Sequence, residues 1–334
     1  MPVSFDRHRA QIVAIFEAWG MPSANAAVAA DGIAWADLRG VKSHGIAKLP
    51  GYDVWRRDGR IRIDAAPSIE RETPVSALIN GNGGLGYAAG HLAMTTAIAK
   101  AQESGIGVVS VRNSAHFGAC GFYTEMAVRS GLIGMVMTGT AARSVAPTSG
   151  TEAKLGTEPI SFGAPAEGDD FFLLDMATTT VAQGKVLNLY VENQPCPEGW
   201  VLDALGQESN DPKMIFDAGG FLTSLGGSLL GSSYKGYGLA VMVNILSACL
   251  SGSSLITDPL HANRPGTPNN IGHFFFALDP GLFRDPDDFR RDVSTLIDSL
   301  RATRPLADDT PVMVAGDPER KPMAKHRDEG LSLI

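Results

Sequence analysis

The chain has 334 residues, of which 44% are apolar and 19% are charged, a composition typical of a globular protein with a sizeable core. It carries 28 Lys and Arg against 36 Asp and Glu, and this net charge of −8 argues against a nucleic-acid partner. The N-terminal segment lacks the apolar run of a signal peptide, and the most apolar stretch, residues 237–250, is too short to span a bilayer. We therefore expect a cytoplasmic protein with no membrane partner.

Three helices are predicted near the N-terminus. Apolar residues recur at helical spacing over 5–19, and a second helix over 23–38 begins at Ser23, which can cap it. Gly40 can end that helix in a left-handed conformation. A third helix is predicted over 45–57, with a kink at Pro50.

A strand–helix–strand unit comes next, and shorter elements follow it. The unit consists of a strand over 75–80, an alanine-rich helix over 87–104 and a buried strand over 107–112. The remaining predictions are helices over 126–130, from about 235 and over 286–301, strands over 132–138, 171–175 and 274–278, and an irregular tail from 305.

Gly81-Asn82-Gly83-Gly84-Leu85-Gly86 matches the dinucleotide fingerprint GxGxxG between a predicted strand and a predicted helix. The alternative is a glycine-rich turn that starts the helix. Glu103 is too early in the chain to bind a ribose, because a ribose partner belongs at the tip of the second strand, near Arg112. From the residues alone the two interpretations are even.

Two short segments have the residue types that proton transfer needs. Ser43-His44-Gly45 is predicted to open a helix, where free N–H groups and a histidine suit anion binding and proton transfer. Residues 113–118, which include His116, follow a buried strand, and α/β proteins bind ligands at that position. The structural alternatives are a helix cap at Ser43 and a turn with a satisfied histidine at His116.

The other histidines and the cysteines show no ligand pattern. Three cysteines without a CxxC pair or zinc spacing predict a protein without a metal. His273 is interpreted as structural. His8, His91, His261 and His326 are interpreted as surface or loop residues.

Seven blocks resemble the malate/L-lactate dehydrogenase family that includes sulfolactate and ureidoglycolate dehydrogenases and piperideine-2-carboxylate reductase. This family is distinct from the Rossmann-type lactate and malate dehydrogenases. The blocks extend in order from near residue 30 to the tail: ADLRGVKSHGIAKLPGY (36–52), GNGGLGYAAGHLAM (81–94), VRNSAHFGACGFY (111–123), LGTEPISFGAP (155–165), LLDMATTTVAQGKV (173–186), YKGYGLAVMVNILSACLSG (234–252) and GHFFFALDP (272–280).

The resemblance implies a mixed α/β fold whose central sheet domain has a non-Rossmann cofactor site. It places that domain at about 71–254 and a mainly helical domain at 1–70 plus about 255–334. It also implies a homodimer that uses NAD or NADP, and it favours the glycine turn over the dinucleotide fingerprint at 81–86.

The family's site residues carry over to matching positions of this chain. The implied catalytic residues are Ser43, His44, His116 and Lys185, and the implied substrate contacts are Lys48, Tyr52 and Thr157. The implied cofactor contacts are His116, Phe117, Gly118, Thr140, Asp175, Met176, Ala177, Gln183, Gly184, Lys235 and Gly316.

Four positions bear on this interpretation. Lys48 stands where the family usually has arginine, so it keeps the charge but loses the bidentate fork. Glu158 replaces the usual asparagine, which predicts a negative charge near the substrate region or a subunit contact, and Asn244 replaces the usual glutamate. Lys185 follows the dehydrogenases, whereas the imine reductase has an aspartate there.

The leading prediction is a nicotinamide-dependent oxidoreductase that interconverts a small 2-hydroxy acid and its 2-oxo form. A histidine with a pKa near the working pH suits removal of the hydroxyl proton while a hydride leaves C2. The alternatives are an NADPH-dependent reductase of a cyclic imine acid and a member that binds cofactor without catalysis. Whether His44 or His116 is the main acid–base group stays open at this point.

Overall fold

The computed structural model describes residues 2–258, 264–307 and 309–332. Its α-helices, α1 to α10 in chain order, are Phe5–Ala18, Ser23–Leu38, Leu49–Arg57, Gly86–Ser104, Cys120–Arg129, Gln183–Val191, Lys213–Phe216, Tyr234–Asn244, Pro286–Arg301 and Asp317–Glu329. Its strands, β1 to β10, are Ser68–Glu72, Ser76–Gly84, Ile106–Ser114, Ile133–Thr138, Ile160–Pro165, Phe171–Met176, Val201–Leu202, Glu208–Ser209, Phe221–Leu222 and Ile271–Leu278.

A seven-stranded sheet in the order β1-β2-β3-β10-β4-β5-β6 forms the centre of the molecule, and β8-β7-β9 form a second, smaller sheet. Strands β2 and β3 run parallel because α4 crosses between them, whereas the other neighbouring pairs of the described large sheet run antiparallel. A Rossmann fold requires a mostly parallel sheet. The predicted mixed α/β fold is therefore confirmed, and its sheet is not that of a Rossmann fold.

Two apolar clusters hold the site from opposite sides. Helices α4 and α5 cover the sheet and enclose a core that includes Ile79, Val111 and Phe275. Helices α1 and α2 pack against Tyr52 of α3 and Tyr87 of α4, both almost fully buried. The histidine segments lie between these two clusters.

The third predicted helix is wrong at its start. Residues Lys42–His44 and Ile46–Lys48 form two short 3₁₀ turns, and the α-helix begins only at Leu49. Pro50 does not kink it, because Pro50 lies in the first turn, where an N–H has no helical partner in any case.

Other predictions need correction at both ends of the chain. The tail is not irregular throughout, since α10 covers Asp317–Glu329, and His8 is not a surface residue, since its side chain is fully buried. Strands β1 and β5 were not predicted. Strand β10 comes from the segment assigned to the helical domain, yet it lies in the middle of the sheet. The division into two domains stays a prediction.

Among the described residues, no helix combines the length and the apolar character that crossing a membrane requires.

Candidate active site

Two of the predicted catalytic residues meet in the fold. His44 ends the first 3₁₀ turn, and His116 follows β3. Their rings are stacked, with 5.5 Å between centroids and 20° between planes. The sheet and the N-terminal helices thus bring two distant histidines to one place.

The Nδ1 atom of His116 accepts hydrogen bonds. The backbone N–H of Gly118 donates to it at 3.2 Å, and the Tyr52 hydroxyl lies 2.7 Å away. Because a backbone N–H only donates, Nδ1 has no proton, and a neutral ring then carries its proton on Nε2. Burial and the nearby His44 and Lys48 hold the pKa of His116 well below its usual value. His116 therefore presents an N–H group at Nε2.

Tyr52 orients this ring from the core. Its side chain is 2% exposed, and its hydroxyl lies 3.3 Å from that of Tyr87. Burial raises the pKa of both phenols, so both keep their protons at neutral pH and Tyr52 donates to His116. A direct contact between Tyr52 and the substrate stays a prediction.

His44 has a different partner. Its Nδ1 lies 2.9 Å from the Ser43 hydroxyl, which is able to donate or to accept. Burial and the Lys48 cation lower the pKa of His44 to about 4. The ring is therefore neutral at pH 7, and Ser43 permits either tautomer.

The glycine-rich segment 81–86 supports the His116 segment. Residues 81–84 belong to the end of β2 rather than to a separate turn, and helix α4 begins at Gly86. The N–H of Gly86 donates to the carbonyl of His116 at 3.0 Å, and a Cβ at Gly86 would lie 2.3 Å from the carbonyl oxygen of Ala115. The protein's own backbone thus occupies the N-terminus of α4, where a dinucleotide-binding fingerprint would hold a pyrophosphate.

His273 fixes the other side of this segment. It is fully buried, its two ring nitrogens lie 2.6 Å from the Thr138 hydroxyl and 2.8 Å from the Ser114 hydroxyl, and its ring stacks on Phe117 at 4.4 Å. Burial lowers its pKa to about 3. These contacts place His273 in the sheet core, as the structural interpretation expected.

The two unusual polar residues face each other. Glu158 is fully buried, and its Oε1 accepts from the Asn244 amide at 3.1 Å and from the Thr140 hydroxyl at 3.4 Å. Burial raises the pKa of Glu158 to about 7, although these bonds oppose the shift. The carboxyl group therefore lies inside the subunit rather than at a surface contact. The neighbouring Thr157 uses its carbonyl to accept from Thr178.

Strand β6 brings together two predicted cofactor contacts. The Asp175 carboxylate accepts from the Gly121 N–H at 2.7 Å, and the N–H of Leu173, two residues earlier, donates to the carbonyl of Ala315, next to Gly316. Gly316 has a φ of +100° and precedes α10. Met176 ends β6, and Ala177 follows it.

The remaining predicted residues lie at two helix starts. Gln183, Gly184 and Lys185 form the exposed first turn of α6, and Lys235 lies exposed in the first turn of α8. Among the described contacts, none joins Lys185 or Lys235 to the histidine pair, so their roles stay predictions.

A cavity of about 1120 Å³ lies between α2, α5, β6 and α10. Neither His44 nor His116 lines it. Within the described residues, no group of three His, Cys, Asp or Glu side chains is arranged to hold a metal.

Residues 3–334 match the malate/L-lactate dehydrogenase family. The chain belongs to this family. A malate dehydrogenase from Pyrococcus abyssi is 38% identical over 308 residues, 92% of this chain and 83% of the relative. The crystal structure of a malate dehydrogenase from Entamoeba histolytica superposes with a TM-score of 0.93 at 33% identity, covering 99% of this chain and 93% of the other.

Family members differ in the cofactor that their names give. A ureidoglycolate dehydrogenase (NAD(+)) from Escherichia coli (strain K12) is 31% identical over 94% of this chain and 87% of its own length. A (2R)-3-sulfolactate dehydrogenase (NADP(+)) from Chromohalobacter salexigens is 34% identical over 82% of this chain and 79% of its own length. The chain is accordingly an oxidoreductase of the dehydrogenase type, and its relatives imply a nicotinamide cofactor.

Proposed function

We propose that the chain is an NAD(P)-dependent dehydrogenase of a small 2-hydroxy acid. The observation that carries the proposal is the stacked pair of histidines whose ring nitrogens have unlike partners. Oxidation of a 2-hydroxy acid requires a base for the hydroxyl proton and a hydrogen-bond donor for the oxygen that becomes a carbonyl. When bound, the nicotinamide accepts the hydride that leaves C2.

His44 is the acid–base group in this proposal. When Nδ1–H of His44 donates to Ser43, Nε2 has a free lone pair and takes the hydroxyl proton during oxidation. In the reverse direction the same nitrogen returns the proton to the carbonyl oxygen. The low pKa of His44 keeps the base form available at neutral pH.

His116 is the donor to the C2 oxygen. Its proton stays on Nε2 because Gly118 and Tyr52 both donate to Nδ1. A neutral imidazole that donates to a developing carbonyl lowers the barrier without gaining or losing a proton. The two histidines therefore have separate roles.

Lys48 is the counter-ion for the substrate carboxylate. Its side chain is half-buried, burial lowers its pKa, and its charge acts on both His44 and His116. Because C2 is bonded to the carboxylate carbon, a carboxylate paired with Lys48 brings C2 toward the two histidines whose pKa values Lys48 lowers. Thr157 is proposed as a further contact.

The residues near β6, α6 and α8 have the chemistry that a dinucleotide needs. Asp175 uses Oδ2 for the Gly121 N–H, and the residue is accessible to solvent, so Oδ1 is available for a ribose hydroxyl, although the surrounding protein partly desolvates the carboxyl and raises its pKa to about 7. Gly184 has open space around it, and Lys235 supplies a cation at the N-terminus of α8. These groups would hold the cofactor together with Thr140, Met176, Ala177, Gln183 and Gly316.

We propose a homodimer, as the family resemblance implies. Helix α8 and the π-helical turn after it expose Met242, Ile245 and Leu250, with 37%, 53% and 58% of each residue accessible. An apolar stripe of this kind is typical of a subunit interface.

A substrate panel tests the proposal. Oxidation of malate, lactate, sulfolactate and ureidoglycolate with NAD and with NADP is compared with reduction of piperideine-2-carboxylate. We expect turnover of at least one 2-hydroxy acid and its loss in His44→Ala. Turnover of the imine alone would replace the proposal, although Lys185 stands where the resemblance implies an aspartate in the imine reductase. Cofactor binding without any turnover would favour a non-catalytic member.

A further inference from the structure

The loop that carries His44 rests on a buried carboxylate that the proposed mechanism does not use. Asp37 lies near the end of α2 and is 9% exposed. Its Oδ2 accepts a hydrogen bond from the backbone N–H of Ile46 at 2.9 Å. Since Ile46 follows His44 by two residues, this bond fixes the end of the loop formed by residues 42–46, here called the His44 loop.

The Asp37 carboxylate also contacts the backbone of Gly45, which lies between His44 and Ile46. A Cβ at Gly45 would lie 1.7 Å from Oδ1 of Asp37 and 2.4 Å from its Cγ. Gly45 therefore packs directly on the carboxylate, with no room for a side chain. Contacts at two successive residues define both the position and the orientation of the His44 loop.

His8 of α1 holds Asp37 in turn. Its ring is fully buried, and its Nε2 donates to Oδ2 of Asp37 at 2.8 Å. Its Nδ1 is buried without a hydrogen-bond partner in the described part of the chain. Burying such polar groups costs free energy, whereas the core between α1 and α2 is otherwise built from apolar residues such as Ile12 and Ile33, and the Arg9–Asp31 pair is partly exposed. A polar pair at this position is not needed for packing alone.

We propose that Asp37, oriented by His8, is a positioning residue for catalysis. It holds the His44 loop so that the His44 ring stays stacked on His116. The inference rests on the proposed role of His44 in proton transfer. An error of about 1 Å in the position of a reacting group lowers turnover on the order of 10²-fold. The contacts of Asp37 with the His44 loop are therefore expected to affect the rate.

The test compares Asp37→Asn and Gly45→Ala with wild type on whichever 2-hydroxy acid the wild type oxidises. We expect each variant to lower kcat by about 10- to 100-fold while the Kd of the cofactor changes little. The double variant should be no slower than the slower single variant, because both changes break one contact. His8→Gln, which keeps a donor, should retain more activity than His8→Phe.

Asp31→Asn is the matched control. Asp31 of α2 pairs with Arg9 of α1, so the same substitution breaks a bond between the same two helices away from the His44 loop. We expect this variant to keep kcat within about 2- to 3-fold of wild type.

A second measurement does not depend on turnover. NMR titration of the His44 ring should show its pKa rising toward 6.5 in Asp37→Asn, as the loop moves into solvent, and unchanged in Asp31→Asn. If Asp37→Asn leaves both kcat and this titration unchanged while the Tm falls, Asp37 is only structural. If the wild type oxidises no 2-hydroxy acid but the titration shifts as expected, the proposed function fails, whereas the positioning of the His44 loop by Asp37 is supported.

Discussion

The backbone N–H of Gly118 donates to Nδ1 of His116 across 3.2 Å, and this bond fixes the proton of the His116 ring on Nε2. His44 is stacked against His116, and the partner of its Nδ1 is the Ser43 hydroxyl. A hydroxyl can either donate or accept a hydrogen bond, whereas a backbone N–H can only donate. The difference between the two histidines therefore follows from one main-chain group. It makes the proposed division of their roles testable.

Glutamine substitutions distinguish the two roles. The amide N–H of glutamine reaches about as far as Nε2 of histidine, so His116→Gln keeps a donor to the substrate oxygen but has no titrating group. We expect the kcat of His116→Gln to be at least about 10-fold higher than the kcat of His116→Ala. At position 44, Gln and Ala should be equally slow, about 10²- to 10⁴-fold below wild type, because neither accepts a proton.

Steady-state kinetics in the oxidation direction measure this comparison. Cofactor affinity, followed by fluorescence, serves as the control for folding. If His116→Gln were as slow as His116→Ala, His116 rather than His44 would be the acid–base group.

Lys48 is expected to affect both substrate affinity and pH dependence. Removing its charge in Lys48→Gln should raise the KM of the carboxylate substrate by about 10- to 100-fold, the range for a lost hydrogen bond to a charged group. It should also raise the pKa of His44 from about 4 toward 6.5, because the cation disfavours the protonated ring, although burial is the larger cause. The acid limb of kcat/KM for oxidation, where His44 loses its base form, then moves to higher pH.

Lys48→Arg is the control, since it keeps the charge and adds a bidentate fork. It should leave the acid limb in place. A limb at the same pH in Lys48→Gln and Lys48→Arg would contradict the proposed proximity of Lys48 and His44.

His273 should make the fold less stable in acid. Its pKa is about 3 in the folded state and near 6.5 when unfolded, so between these values the unfolded chain binds a proton that the folded chain excludes. The stability that a neutral His273 provides is complete above pH 6.5 and falls by about 1.4 kcal/mol per pH unit below it. His44 and His116 act in the same direction, since their pKa values are also lowered.

Urea unfolding at pH 7, 6 and 5 measures this slope. In His273→Gln the free energy of unfolding should fall less steeply between pH 6 and 5 than in wild type. The difference corresponds to about one proton, or about 1.4 kcal/mol per pH unit, whatever the absolute stability of the variant. An unchanged slope would show that His273 does not titrate between the two states.

The sequence predicted those elements that have apolar periodicity and clear ends. Helices α2 and α9 begin and end at the predicted residues, and Pro286 starts α9, but the predicted cap at Ser23 is wrong: Pro22 holds the cap position of α2, and no side chain makes a capping hydrogen bond there. Strand β1 was missed because all five of its residues are exposed and show no alternation. Helix α10 was missed because it buries none of its residues and contains Pro322.

The site was predictable as a set of residues but not as a set of hydrogen bonds. The family resemblance assigned His44, His116 and Tyr52 to one reaction, and the fold brings these three together. Which ring nitrogen is free depends on the direction of the Gly118 N–H, and no residue pattern encodes that direction. The burial of His8 was missed for a similar reason, because its partner Asp37 lies on another helix.

The last prediction concerns the glycine-rich segment 81–86, for which the sequence allowed a structural role or a dinucleotide-binding role. An added methyl group would lower stability in the first case and cofactor affinity in the second. In the structure a Cβ at Gly86 would lie 2.3 Å from the carbonyl oxygen of Ala115 and 2.7 Å from the Cβ of Phe117, so Gly86→Ala must displace the His116 segment. We expect a loss of about 1–3 kcal/mol in the free energy of unfolding and a lower kcat, and any weakening of cofactor binding should accompany that loss, because the implied cofactor contacts His116 and Phe117 move with the segment. Gly184→Ala is the counterpart, since Gly184 has open space within the protein and is a proposed cofactor contact. That variant should keep its stability and bind the cofactor more weakly. If calorimetry found that Gly86→Ala weakens cofactor binding with its stability unchanged, and that Gly184→Ala does not weaken it, residues 81–86 would be the dinucleotide site after all.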